Sequence, residues 1–282
     1  MARVGTVGYN EPVKVVLFCG GLGLRMREAS ERVPKPMVPI GSRPILWHVM
    51  KYFAHYGHTQ FVICLGYKGE VIKDYFLHYS EALSNDFVLT QGGREVTLLR
   101  HDIQDWEITF VDTGLHSLIG ERLRIVRPHL EGEEYFLANY GDVLTDAPLD
   151  RLIDDAKARD VVASFLCIKP NYSFHLVETD EQDYVRAVTE TTRSDLWING
   201  GYFVFKQELF DYIEAGDELV IEPFARLAAR RQLFANKYDG FWAPMDTLKD
   251  QQTLEQMSEA GNGPWKLWEL DHEAGAPASS AA

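Results

Sequence analysis

Cysteine is scarce in this chain, with three in 282 residues. Cys19, Cys64 and Cys167 each lie within or at the end of an apolar run, and no CxxC spacing occurs. That pattern argues against a disulfide scaffold or a thiolate zinc site, and it reads as the reduced core thiols of a cytoplasmic protein. Basic residues are also in the minority, 28 Lys and Arg against 42 Asp and Glu, for a formal charge of −14. A surface of that sign repels nucleic acid and anionic membranes, so neither is expected as a partner. No apolar run approaches the ~20 residues of a membrane span. The first fourteen residues lack the apolar core of a secretion signal. An anionic ligand is expected only where the few cations are gathered.

Apolar patterning predicts buried strands at 14–19, 61–66, 107–112, 134–142 and 161–168, with helices at 44–57, 70–79 and 149–160 between them. Strands that are apolar throughout, alternating with amphipathic helices, specify a largely parallel sheet covered on both faces. After Lys169 the texture changes. Residues 175–192 alternate and carry turn signals, as antiparallel strands do. Residues 197–205 enter a further strand through a glycine pair. Residues 208–216 and 222–232 read as helical, 234–246 as a hairpin running into a loop, and 247–261 as a closing helix. The expectation is one α/β domain, residues 13–269. It has a mixed, mostly parallel central sheet flanked by helices, a small antiparallel portion and a C-terminal extension. Residues 1–12 and 270–282 are expected to be flexible termini.

The stretch VVLFCGGLGLRMRE, Val15 to Glu28, places cations beside a glycine loop. Gly20, Gly21 and Gly23 stand at the carboxyl end of the first buried strand, where open α/β sheets bind ligands. Glycine there lets backbone N–H groups approach a phosphate. The glycines alone are equally compatible with a tight turn. No Gly-Lys-Ser/Thr follows, so this is not a Walker loop. No third glycine completes the dinucleotide fingerprint and no acidic residue ends the second strand, which argues against a dinucleotide-dependent dehydrogenase.

Lys35 lies between Pro34 and Pro36. The prolines predict a stiff segment with Lys35 extended, projecting its ammonium at low entropic cost. Arg25, Arg27 and Lys35 form a cationic cluster in an acidic chain. Asp142 and Asp246 each follow an apolar run. Carboxylates at the carboxyl end of a sheet suit a hard divalent cation, and Mg2+ takes one or two carboxylates plus phosphate oxygens. Asp146 reads as a turn or cap residue. His48 and His55, at i and i+7 on a predicted helix, read as structural.

The ordered series GGLGLRM, VPKPMVPIGSRPILWHVM, GYKGEVIKDYF, VDTG, YGD, INGGYFVF and PMDTLKDQQTLE…PWKLWE resembles the sugar-1-phosphate nucleotidyltransferases. The glucose-1-phosphate cytidylyltransferase branch is the most similar, and the likeness covers residues 13–269. The resemblance implies a Rossmann-like nucleotidyltransferase fold and a Mg2+-dependent reaction. In it a sugar-phosphate oxygen attacks the α-phosphorus of a nucleoside triphosphate, CTP in this branch, and pyrophosphate leaves. Uridylyl or thymidylyl transfer, or a nucleotide-binding homologue with impaired catalysis, are the alternatives. The resemblance also implies Gly20, Gly21, Gly23 and Gly120 along the nucleotide, and Arg25 and Lys35 as catalytic cations on the phosphates. It places Asp142 and Asp246 on the metal and Glu190, Asn199 and Gly200 at the acceptor, and it implies a homo-oligomer. Transfers of this kind need positioning and charge neutralisation more than a protein nucleophile.

The chain also departs from the family pattern. Leu24 replaces a threonine of the glycine loop. Ile119 and Glu121 replace two residues of a Thr-Gly-Gly-Arg run, of which Gly120 and Arg122 match. Thr191 and Thr192 follow Glu190 where Lys-Pro is usual, leaving Arg193 and Lys169 as candidate replacement cations. Phe174 stands for a glycine beside the sugar and is expected to reshape the pocket. Together these changes predict an acceptor other than glucose 1-phosphate.

Overall fold

The computed structural model describes residues 12–21, 33–170 and 174–269. In chain order these form β1 (Val15–Phe18), the short pair β2 (Pro39–Ile40) and β3 (Arg43–Pro44), α1 (Ile45–His55), β4 (Gln60–Leu65) and α2 (Gly69–Leu77). A hairpin follows, β5 (Phe87–Thr90) and β6 (Glu95–Leu98), then β7 (Glu107–Asp112), α3 (Ile119–Val126), β8 (Tyr135–Asn139), β9 (Val143–Thr145), α4 (Leu149–Arg159) and β10 (Ala163–Ile168). A second hairpin, β11 (His175–Thr179) and β12 (Val185–Glu190), precedes β13 (Ile198–Lys206), α5 (Glu222–Ala229), β14 (Leu233–Tyr238), β15 (Trp242–Pro244) and α6 (Leu248–Glu259).

The main sheet has the order β14-β10-β13-β8-β1-β4-β7. β13 runs against both its neighbours, and the remaining pairings are parallel. This is the mixed, mostly parallel sheet expected from the sequence. Successive residues of a strand point to opposite faces. Val15, Leu17 and Cys19 therefore pack with α1, α2 and α4, while Val16 and Phe18 pack with α3 and α5. All three cysteines are buried free thiols.

Three local expectations are corrected, and one element is added. The strand expected at 134–142 stops at Asn139, because Gly141 takes φ +78° and turns the chain before β9 begins. The hairpin expected at 234–246 does not form. β14 pairs in parallel with β10 at the sheet edge, and β15 pairs instead with β9. Part of the helix expected at 208–216 is a 3-10 turn, Gln207–Tyr212. The β5–β6 hairpin had not been anticipated; its strands are almost wholly exposed, so they carry no core periodicity to read. The closing helix α6 starts where a capping box predicts, with Thr247 accepting from the Asp250 amide and Asp250 bonding back. Trp265 beyond it is fully buried and donates to His48 Nδ1 at 3.3 Å, so this part of the C-terminal extension packs on its own chain.

Candidate active site

The turn after β8 is built by one buried amide. Asn139 Oδ1 accepts from the Gly141 amide at 2.7 Å, while its Nδ2 donates to the Gly201 carbonyl at 3.0 Å. The turn delivers Asp142 to the carboxyl end of the sheet. The β9–β15 pairing sets Pro244 opposite Val143, and the Met245 amide donates to the Asp142 carbonyl at 3.0 Å. Asp246, separated from Asp142 by more than a hundred residues of sequence, is thereby held beside it. Its amide is fixed in turn by the Asp250 carboxylate at 3.0 Å.

Lys35 completes the group. Its Nζ lies 2.6 Å from Asp142 Oδ2 and 2.6 Å from Asp246 Oδ1. Lys35 is not extended, as its prolines predicted; it opens a 3-10 turn, Lys35–Met37, after an extended Pro34. Hydrogen bonds from Met37 to the Pro34 carbonyl and from Val38 to the Lys35 carbonyl close that turn and outweigh the steric preference of a residue before proline. Burial pulls the Lys35 ammonium down, but the Asp142 and Asp246 carboxylates overcome this and hold it above its ordinary value. Burial pushes the Asp142 carboxyl up, against the pull of Lys35, and Asp246 adds to the rise. One ammonium between two carboxylates leaves one negative charge uncompensated. Two hard oxygen donors already converging on a cation fit Mg2+. Among the described residues no group of three or more His, Cys, Asp or Glu is placed to hold a metal ion.

The carboxylates open into a cleft of about 420 Å³. Gly20 and Gly21 form one lip, Ser117, Ile119 and Arg122 the wall beside it, and Tyr140, Asn199 and Trp242 the opposite wall. Asn199 Nδ2 donates to the Tyr140 hydroxyl at 3.0 Å, and its Oδ1 accepts from the Gly201 amide at 2.9 Å. Gly201 has φ +77°, and a Cβ there would sit 2.5 Å from the Tyr140 ring. Glu218 also lines the cleft; burial raises its carboxyl, partly offset by the Ile119 and Leu219 amides that bond to it. Sequence reasoning did not single out Tyr140, Trp242 or Glu218. Tyr140 lies inside the quoted YGD motif and Trp242 in the apolar run before Asp246, whereas Glu218 gave no signal.

The structure thus brings together Gly20, Gly21, Lys35, Asp142, Asn199 and Asp246. Gly23, Leu24, Arg25 and Arg27 lie outside the described residues. Gly120 is not part of the cleft lining; a Cβ there would meet the Asp217 carbonyl at 2.7 Å, so packing explains the glycine. Gly200 accepts from Trp242 Nε1 at 2.8 Å and so orients the aromatic wall from behind. Glu190 ends β12 outside the lining and pairs with Arg193 at 3.2 Å. Thr191 is buried, and its hydroxyl donates to the Phe174 carbonyl at 2.6 Å. The Phe174 side chain is 69 % exposed and does not line the cleft, so the expected reshaping by that ring is not seen. Lys169 stacks over Trp197 at 5.6 Å, and neither it nor Arg193 enters the lining as a replacement cation. A separate cavity of about 490 Å³, walled by Trp47, Lys51, Arg100 and Trp268, contains none of the sequence-predicted site residues.

A glycine lip and a lysine-bridged carboxylate pair thus stand at the carboxyl ends of a mixed, doubly covered sheet, the place where open α/β sheets bind ligands. A family model described as nucleotidyl transferase matches residues 14–237. The glucose-1-phosphate cytidylyltransferase of Salmonella typhi is 39% identical over 260 residues, covering 91% of this chain and 100% of that protein. The D-glycero-alpha-D-manno-heptose 1-phosphate guanylyltransferase of Campylobacter jejuni is 25% identical over 244 residues, covering 83% and 96%. A solved UDP-glucose pyrophosphorylase, complexed with UDP-glucose, shares the fold with a TM-score of 0.64 at 14% identity, covering 89% of this chain and 99% of that one. The chain belongs to the nucleotidyl transferase family. Among the described residues no helix is long and apolar enough to cross a membrane.

Proposed function

We propose that this enzyme transfers CMP from CTP to a sugar 1-phosphate, giving a CDP-sugar and pyrophosphate. The observation that carries the reading is the Lys35 ammonium held at 2.6 Å from both Asp142 and Asp246 beside the glycine lip. The identity to glucose-1-phosphate cytidylyltransferases over nearly the whole chain supports the choice of base. An acceptor phosphate oxygen attacks the α-phosphorus in line, and the bond to the β-phosphate bridging oxygen breaks, with the electron pair leaving on pyrophosphate. Gly20 and Gly21, with Gly23, present backbone N–H groups to the nucleotide, and Gly120 supports the base-side wall. Arg25 and Lys35 neutralise the phosphates; Lys35 exchanges part of its carboxylate contact for phosphate oxygen as they enter. Asp142 and Asp246 would hold Mg2+, which would supply charge neutralisation on the phosphates when bound. Asn199 and Gly200, with Tyr140 and Trp242, shape the acceptor side; Glu190, at the end of the hairpin and outside the cleft lining, is kept as an acceptor contact on the family resemblance alone.

The test is a matrix of CTP, UTP, dTTP, ATP and GTP against a set of sugar 1-phosphates with Mg2+, following pyrophosphate release and the mass of the product. CTP is expected to give the highest kcat/KM and a product of the CDP-sugar mass. A preference for UTP or dTTP would overturn the base assignment, and no release from any pair would overturn the reaction.

A further inference from the structure

The two glycines of the cleft lip are glycines for different reasons. A Cβ on Gly21 would meet nothing within 4 Å, so no neighbouring protein atom requires glycine there. A Cβ on Gly20 would lie 1.9 Å from Arg122 Nη1 and 2.4 Å from its Cζ. The guanidinium occupies the space a side chain at residue 20 would need, so any other residue there must displace it. Arg122 comes from the first turn of α3 and is 4% exposed. Its Nη2 donates to the Gly20 carbonyl at 3.1 Å, and its Nη1 donates to the Leu65 carbonyl at 3.1 Å and to Thr113 Oγ1 at 2.5 Å.

Those three acceptors stand just at or beyond the ends of β1, β4 and β7, three adjacent parallel strands. The lock is layered. The Thr113 hydroxyl donates onward to the Leu65 carbonyl at 2.7 Å, and a Cβ on Gly66 would strike the Gly20 carbonyl at 2.6 Å. Among the described residues no carboxylate lies within 4.0 Å of the guanidinium to form an ion pair. Burial pulls its pKa down, yet an arginine stays charged in proteins. A buried, unpaired cation is costly to a fold. Here its hydrogen bonds go to backbone and hydroxyl oxygens, Asp112 acts on it from beyond ion-pair distance, and the group lies in the wall of the cleft.

We propose that Arg122 is a positioning residue for the nucleotide. It clamps the Gly20 carbonyl to the ends of β4 and β7 and so fixes the height at which Gly21 faces the triphosphate, and it adds positive potential to that side of the cleft. Gly20 answers to Arg122, and Gly21 answers to the ligand. The inference deepens the nucleotide reading but does not depend on CTP or on turnover.

The experiment is a double-mutant cycle of Gly20→Ala and Arg122→Ala, with Gly21→Ala and Arg122→Lys alongside. The readouts are thermal midpoint without ligand and calorimetric Kd for the triphosphate that wild type binds most tightly. Gly20→Ala should lower the midpoint in the Arg122 background and lower it no further once Arg122 is alanine. Gly21→Ala should leave the midpoint unchanged in either background while weakening triphosphate binding about tenfold. Arg122→Lys keeps the charge but loses the fork; it should raise Kd and KM for the triphosphate about tenfold with kcat changed less than about threefold. Additive midpoints for Gly20→Ala and Arg122→Ala would overturn the pairing. An unchanged triphosphate Kd in Arg122→Lys would overturn the positioning role, a result readable even if Arg122→Ala does not fold. If wild type binds no triphosphate, the functional reading fails, and the ligand-free cycle still decides the pairing.

Discussion

On the β1–β4–β7 side of the cleft, the strand ends are tied to one another. Arg122, Thr113, Leu65 and Gly20 interlock in a buried polar network with contacts under 3.2 Å. On the β8–β13–β10 side, the wall consists of Tyr140 and Trp242, aromatic faces whose polar atoms are bonded to Asn199 and Gly200. The neighbouring β11–β12 hairpin is largely exposed. A triphosphate is a flexible polyanion, and fixed donors and charges serve it best. A sugar is read by its ring faces and hydroxyls, so the surrounding residues can vary without disturbing the sheet. The departures at Phe174, Thr191 and Thr192 all fall at or beside this hairpin, on the looser side. The departures at Ile119 and Glu121, by contrast, stand on α3 beside Arg122 in the tied half, so both halves differ from the family pattern and only their packing distinguishes them.

The largest effect expected is acid sensitivity of the fold that supports both halves. His48 and His58 are the buried histidines among the described residues. His58 leads into β4, and its Nδ1 accepts from the Val13 amide at 3.2 Å; His48, on α1, donates Nε2–H to the Ile40 carbonyl at 3.0 Å. Burial pulls each pKa down to about 4. The folded values lie below the unfolded one, so the unfolded chain binds more protons between about 6.5 and 4. Stability is then full above about 6.5 and falls as pH drops through that window, on the order of 3 kcal/mol for each histidine. Denaturant midpoints measured from pH 7 to 4 should fall accordingly. A flat profile would show that neither ring is kept neutral by the fold.

A smaller effect is expected in the acceptor half. Thr191→Val removes the hydroxyl bond to the Phe174 carbonyl, worth about 1 kcal/mol. Amide exchange within residues 175–190 should quicken about fivefold, while the triphosphate KM stays at the wild-type value. A rise in triphosphate KM would mean that the hairpin and the nucleotide lip are coupled, which would break the division.

Most of the sheet was legible because parallel strands covered on both faces read as apolar runs. Asp142 and Asp246 were legible because each ends such a run. Lys35 was legible through its prolines, although they suggested the wrong backbone for it. What escaped had no periodic or compositional signature. The exposed β5–β6 hairpin buries too little to pattern its residues. The pairing of β15 with β9 is a long-range choice made by the turn at Gly141 rather than by local sequence. Arg122 was noted only as a surviving motif residue, because nothing local reveals that its guanidinium reaches a glycine 102 positions earlier. Gly120 and Gly200 were legible only as motif residues; that both also have close packing neighbours in the fold is something no local pattern shows.

The measurement that bears most directly on the account is pyrophosphate release as a function of Mg2+ for wild type, Asp142→Asn and Asp246→Asn. If the Lys35-bridged pair is the metal-holding centre, each variant should lose at least about a hundredfold in turnover. Each should also need more Mg2+ for what remains, with the thermal midpoint at or above the wild-type value because a crowded carboxylate has been neutralised. Wild-type rates and wild-type Mg2+ dependence in both variants would contradict it.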